Sequence, residues 1–425
     1  MSKNILINSL ILSVGILIGR LSGYIRELII AYKFEVSSSA DNIILMLTIP
    51  DLLNNLLAGG AVSGILMPLL SNSKKIEEIL TDFNKKLFIV FIGLYIFAVS
   101  IIFFVHDFYI FSLLAISLLA IFPNIFTFIS SSYLQYEKRF KAQSLNTLVF
   151  NIVIIVFLLL GFQNYLFALG VILASIVRMV WISYDLRFTD ISIKSFFIQK
   201  VESGIKYKLL VFMIFANGLI FINPMIDKLF ASFLQEGSVA ILSYSEKIYL
   251  LPVSVFLTTY AVAMFPDLSK MVVNKDTKNI NQLLKKSIFF NLLISLCIAI
   301  VIYIFSYDIV NLFYSIANVK DENIKLISNV LNGYLLSLVF AGTNSILLNI
   351  FFAHKWYSKL IYYSIFMLGS KILINSYIIY FNYDVYYIAL STSILIVISV
   401  LILLFTYINT NNQNKGTIND NNDTR

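Results

Sequence analysis

Charge is scarce in this chain. Asp, Glu, Lys and Arg make up 13% of its 425 residues, roughly half the share in soluble domains, while 59% are hydrophobic. That balance excludes a soluble globule. Cysteine is nearly missing: Cys297 lies alone in an apolar run, so no intrachain disulfide can form and redox chemistry has no second thiol. Histidine occurs twice, as His106 and His354, and there is no Walker loop, no G-x-S-x-G and no H-E-x-x-H. Direct ATP drive therefore lacks its usual nucleotide loop. The carboxylates are scattered along apolar segments instead of gathered in Asp-rich loops, which argues against metal-dependent glycosyl or phosphoryl transfer. These absences point to a transporter and not an enzyme, with no cofactor and no metal site.

Long apolar runs are what the chain has in abundance. Mean hydropathy is +0.87, and a bilayer-spanning helix needs about 20 mostly apolar residues. Twelve such segments can be counted, near 5–32, 40–70, 87–105, 109–135, 143–162, 164–184, 208–234, 238–266, 284–306, 325–352, 357–381 and 384–408. The net charge of +8 invites a nucleic-acid partner, but its distribution speaks against one. With the N-terminus inside, 22 of the 31 Lys and Arg fall in cytoplasmic loops and tails. Three (Lys33, Lys320, Lys325) fall in outer loops and six in the spans. That asymmetry is the positive-inside bias and places both termini in the cytoplasm. The first segment has no small-residue cleavage site before Arg20 and reads as an uncleaved span. The Asn/Asp/Thr-rich tail, 409–425, reads as disordered.

The basic, less apolar stretch 191–207 divides the spans six and six, giving an N-terminal lobe over 1–190 and a C-terminal lobe over 208–408. The halves share landmarks in the same order. Each second span contains a proline after Ile or Leu (Pro50, Pro252) and ends at another (Pro68, Pro266). A polar loop ending in two lysines follows (Lys85-Lys86, Lys285-Lys286), and each fourth span closes in an aromatic-basic turn, YEKRF at 136–140 and FFAHKWYSK at 351–359. An even number of spans per half makes this a parallel repeat about an axis along the membrane normal, an architecture in which transporters bind substrate between the halves. The expected fold is thus all-α and polytopic, two six-helix lobes with a parallel pseudo-two-fold repeat.

Six cations lie within the spans: Arg20, Arg26, Arg178, Lys228, Lys247 and Lys371. A charge at bilayer depth is expensive and normally faces a protein interior or a wet cavity, so several cations together suggest an anionic cargo. An arginine fork grips phosphate bidentately, which lysine cannot do. Gly15, Gly19 and Gly23, four apart, line one face of the first span, for close helix packing or for a bend. Arg20 and Glu27 share a face, with Arg26 about a third of a turn away. Both arginines reach one cavity if the helix bends. Asp41 opens the second span, where it either caps that helix or pairs with a cavity arginine. Asp51, after Pro50, is placed to cap a restarted helix. Glu246 and Lys247 are adjacent in the eighth span, so at least one of them faces the interior. Pairing Asp227 with Lys371 is the cheapest way to bury either.

At these residues the chain resembles the MurJ/MviN family, the lipid II flippase branch of the multidrug/oligosaccharidyl-lipid/polysaccharide exporter superfamily. The matching stretches are GRLSGYIRELIIAYKF, ADNIILMLTIPDLLNNLLAGGAVSGILMPLLS, YLQYEKRFKAQSLNTLVFNI, IDKLFASFLQEGSVAILSYSEKIYLLP and LLNIFFAHKWYSK, in family order over about residues 10–395. The resemblance implies two six-helix lobes in an inside-out V around a cationic cavity that holds the pyrophosphate of an undecaprenyl-linked glycan. By motif, Arg20 and Arg26 look like the family's first-span cavity arginines, and Asp41 like their acidic partner. Glu246-Lys247 stand where Asp-Arg is usual, keeping sign and losing the fork. Asp227 resembles a sodium-site acid of some members, and Lys371 occupies a cation-site position where a fixed ammonium would replace sodium. The chain departs from the family at Asn54, Asn55 and Gly59, where arginines and a glutamate are common, and in counting twelve spans where fourteen are frequent.

The resemblance and the residues together predict a monomeric flippase in the bacterial inner membrane. It would move a polyprenyl-diphosphate-linked glycan, foremost lipid II for peptidoglycan synthesis, to the periplasmic leaflet by alternating access. Arg20, Arg26 and Lys247 would hold the diphosphate, Asp41 and Glu246 would orient them, and Asn54 and Asn55 would line a polar cavity. Asp227 and Lys371 would form the ion-coupling group or internal pair, driven by membrane potential, sodium or protons. Its partners are that lipid and the surrounding membrane lipids. The alternatives are an O-antigen or capsular repeat-unit flippase and, more remotely, a drug/cation antiporter of the same superfamily.

Overall fold

With no water in the bilayer core, backbone N–H and C=O groups must pair within the chain, and a helix closes all of them locally. The computed structural model follows that rule: it is built of helices, with no strand among the described residues. Those residues are 3–58, 66, 70, 76–105, 107–137, 139–189, 207, 223–274, 276–317 and 319–422. Gly59, Pro68, His106, the expected linker 191–207 save Tyr207, and the first part of the expected seventh span lie outside them, as does the side chain of Asn55. Among the described residues, seven helical stretches are individually long and apolar enough to cross a membrane. The other expected segments overlap helices that are shorter, more charged or partly outside the description, which is consistent with the count of twelve.

Two compact units divide the chain: Met1–Ala240 with Ile316–Val319, and Ile241–Ser315 with Lys320–Arg425. The first holds α1 (Lys3–Phe34), α2 (Ser38–Ala58), α3 (Ile76–Val105), α4 (Phe108–Leu118), α5 (Ile121–Tyr136), the single turn α6 (Lys141–Ser144), α7 (Asn146–Leu159), α8 (Asn164–Leu186) and α9 (Asn223–Ala231). Here α1 lies along α7, α7 along α8, and α8 against α4 and α5. The glycines of α1 explain the first contact. A Cβ on Gly15 would sit 2.3 Å from the Ser144 Cβ, and one on Gly19 would sit 3.0 Å from that of Thr147. The glycine face is therefore a packing face. Helix α1 runs from Lys3 to Phe34 without interruption.

Helix α10 (Ser238–Pro252) begins at the end of the first unit and continues into the second. It passes through a π-helical turn, Val253–Leu257, into α11 (Thr258–Val273). Proline removes an N–H and crowds the preceding turn, so a widened turn beside Pro252 is physically expected. Pro50, by contrast, sits inside a continuous α2, so Asp51 caps no restarted helix there. The second unit continues with α12 (Thr277–Ile304), α13 (Ser306–Tyr314), α14 (Asp321–Gly333), α15 (Leu335–Ala353), α16 (Tyr357–Tyr380) and α17 (Tyr386–Asn422). Its core gathers on α15, where Ile346, Leu347, Ile350 and Phe351 meet Leu284 of α12 and Leu403 of α17. Helix α17 extends to Asn422, across most of the tail expected to lack order. No proline interrupts residues 409–422, and propagating an existing helix is far cheaper than nucleating one.

The two aromatic-basic turns end α5 and α15 as expected, and within its own unit each is pinned to that unit's last long helix. Arg139 pairs with Asp185 at 2.7 Å and lies over the Phe188 ring at 5.3 Å. Lys359 donates to Thr410 on α17 and lies 4.8 Å over Trp356, which stacks on His354 at 4.4 Å. Each turn thus carries a cation over an aromatic ring.

Candidate functional site

The first-span arginines do not share an environment. Arg20 is exposed and makes no hydrogen bond or ion pair among the described residues. Arg26 is 9% exposed and faces α7 with the glycines. Its Nη1 donates to Asn151 Oδ1 at 3.0 Å, its Nη2 pairs with Glu27 Oε1 at 3.1 Å, and its Nε has no partner. A buried guanidinium with a donor to spare is poised for a further acceptor.

Asp41 has neither of the partners expected for it. Its two carboxylate oxygens accept from the backbone N–H groups of Gly237 at 2.7 Å and Ala240 at 2.8 Å. It therefore caps α10, a different helix, where backbone donors have no intrahelical acceptor and the dipole favours an anion. Gly237 is required for this arrangement. Its φ is +86°, and a Cβ there would lie 2.3 Å from Val36 Cγ1. Asp41 thus sets the start of the helix that carries Glu246, which is buried, and Lys247, which is half-buried.

A second polar network lies in the first unit, centred on a cation with no role assigned from sequence. Arg178 of α8 is buried; its Nη2 donates to Asn124 Oδ1, and its guanidinium stacks on the Phe150 ring at 5.0 Å. Asn124 Nδ2 donates to Asn54 Oδ1 at 2.9 Å, and Asn54 Nδ2 to Asp51 Oδ1 at 3.3 Å. Two carboxamides thereby link a buried guanidinium to the carboxylate whose field reaches it. Asn54 is part of a relay tying α2, α5 and α8.

Asp227, in the first unit, is 1% exposed. Lys371, in the second, is also 1% exposed; its ammonium donates to Thr392 and, at 3.3 Å, to Ser391, which donates to Asn375 Oδ1 at 3.0 Å. Two hydroxyls, one of them backed by a carboxamide, thus solvate the buried ammonium in the middle of α16. Asn124, Asn151 and Asn375 were not singled out from sequence, although a carboxamide inside an apolar run is itself a signal of an interior polar contact. Among the described residues no group of three or more His, Cys, Asp or Glu could hold a metal ion.

Against this geometry, comparison with known proteins is consistent from end to end. The family model described as lipid II flippase MurJ matches residues 30–419. A relative from Rickettsia prowazekii, named probable lipid II flippase MurJ, is 25% identical over 82% of this chain and 73% of its own length. One from Borreliella burgdorferi with the same name is 26% identical over 94% and 82%. Among solved structures, a lipid II flippase MurJ in an inward closed conformation superposes with a TM-score of 0.78 at 24% identity, covering 94% of this chain and 87% of that one. An inward-facing multidrug resistance MATE family transporter of the MOP superfamily gives 0.73 at 15%, covering 96% and 99%. The structural likenesses establish the fold. The family match carries the rest, and it does not favour the repeat-unit or antiporter alternatives.

Proposed function

This chain belongs to the lipid II flippase MurJ family, and we propose that the arginines of its first helix hold the diphosphate of the lipid it moves. The protein is a multi-pass membrane transporter, not an enzyme, and its cargo is the lipid-linked peptidoglycan precursor. A diphosphate crossing a bilayer must exchange its hydration for protein donors, and a guanidinium offers them in the matching geometry. The observation that carries the reading is Arg26: buried, fixed at two corners, and with its Nε–H unpartnered. Arg20, exposed on the same helix, is the group that meets the diphosphate first. Lys247 is proposed separately as a point cation met during passage, on a helix whose start Asp41 sets and whose neighbouring Glu246 balances its charge. Asp227 and Lys371 are the charged groups through which membrane potential, sodium or protons act. The chain works as a monomer in the bacterial inner membrane with both termini in the cytoplasm.

Complementation tests this reading. Expressed in cells depleted of their own lipid II flippase, the chain restores growth, and Arg20→Ala or Arg26→Ala abolishes the rescue. Rescue untouched by both substitutions, in protein shown to be inserted, would overturn the assignment of the diphosphate to the first helix.

A further inference from the structure

Asn151 sits within an otherwise apolar stretch of α7, LVFNIVII, and is 2% exposed. Its carboxamide is fully engaged, and the direction of every bond follows from its neighbours. Ser22 Oγ commits its only proton to the Gly19 carbonyl at 2.8 Å, so toward Asn151 it can only accept. Asn151 Nδ2 donates to that oxygen at 2.9 Å and to the Gly19 carbonyl at 3.3 Å. With the nitrogen committed to α1, Oδ1 is left facing Arg26 Nη1 at 3.0 Å. The other anchor of the guanidinium is Glu27, its sequence neighbour, and adjacent residues on a helix do not face each other. One such contact leaves the guanidinium plane free to rotate. Two contacts, on different helices, fix it.

We propose that Asn151 is a positioning residue for Arg26, holding its guanidinium so that Nε–H and the remaining Nη hydrogens are presented to an anionic oxygen of the lipid diphosphate. This rests on the reading of Arg26 given above. Ser22 supports it from behind by setting the amide orientation. The carboxamide suits the task because it accepts from the guanidinium without adding a negative charge that would compete with the diphosphate.

The test is a double-mutant cycle on the full-length protein in lipid nanodiscs, with undecaprenyl diphosphate as the probe and its dissociation constant as the readout. Arg26→Ala is expected to weaken binding tenfold or more, and Asn151→Leu about fivefold, as for loss of a hydrogen bond to a charged group. In the Arg26→Ala background Asn151→Leu should change binding no further, whereas its effect on melting temperature should persist in both backgrounds. If Asn151→Leu weakens binding by the same factor in both backgrounds, Asn151 acts apart from Arg26 and the proposal is wrong. Should Asn151→Leu fail to fold, Ser22→Ala runs the same cycle under the same criteria with a smaller expected effect. Normal probe binding by Arg26→Ala would remove the reading of Arg26 itself, an outcome separate from an additive cycle.

Discussion

At the scale of single residues, what a charged side chain touches decides its consequence more than its depth does. Asp41 illustrates this, because both its oxygens are taken by backbone N–H groups of another helix start. Asp41→Asn keeps one acceptor and turns an NH2 group toward a backbone donor. The expected loss is about 2 kcal/mol of stability, read by denaturant titration in detergent, with α10 displaced and transport lowered. An unchanged stability would mean that the cap is dispensable. For Lys247 a cation of either shape should serve: Lys247→Arg retains transport and Lys247→Ala loses it, and equal activity of the two would dismiss Lys247 from the path. His354, in the turn after α15, is half-buried against Trp356, and burial holds its pKa below the ordinary value. The folded state then binds fewer protons than the unfolded chain. Its contribution is complete above the unfolded pKa of about 6.5 and declines as pH falls from there through the lower folded value. Melting temperature should drop over that window, and His354→Phe, which keeps the stack, should flatten the drop.

At the scale of elements, two contacts in the first unit make graded predictions. Along α1 the space opposite each glycine widens toward the C-terminus. An added Cβ would meet an atom at 2.3 Å from Gly15, 3.0 Å from Gly19 and 3.5 Å from Gly23. Gly15→Ala should therefore cost about 1–3 kcal/mol through overpacking against α6. Gly19→Ala should cost less, and Gly23→Ala should gain up to about 1 kcal/mol from helix propensity. The order of melting temperatures checks it, and three equal values would contradict packing as the reason for the glycines. The Arg178 relay behaves differently, since removing one partner strands a buried charge. Asn124→Leu alone should cost about 3–5 kcal/mol, and adding Arg178→Met should recover most of that loss, because an apolar pair leaves no charge to satisfy. If the double variant is no more stable than Asn124→Leu, the guanidinium is satisfied by other means.

At the scale of the whole molecule, the helices and their order were legible because the bilayer demands long apolar runs and locally closed hydrogen bonds. Charged residues inside those runs stood out for the same reason. What they touch was not legible. Asp41 reaches amides at 237 and 240, and Arg26 reaches Asn151 on another helix. One chain without its tertiary pairings gives no hint of such distant partners. The packing role of the α1 glycines was hidden on the same account, since the close approach at Gly15 involves Ser144. Orientation in the membrane rests on a property of the entire chain, the concentration of Lys and Arg on one side, and the lone cysteine makes it measurable. Cys297→Ser yields a background free of thiols. Into it a single cysteine is returned at Lys278, in the first turn of α12 and on the side that the charge bias places inside, or at Lys320, in the segment after α13 placed outside. Each substitution removes only one charge of 31, too few to invert the bias. In spheroplasts an impermeant maleimide should label Lys320→Cys at once and Lys278→Cys only after the membrane is opened. The reverse pattern would place both termini outside, and with them the face from which the lipid diphosphate reaches α1.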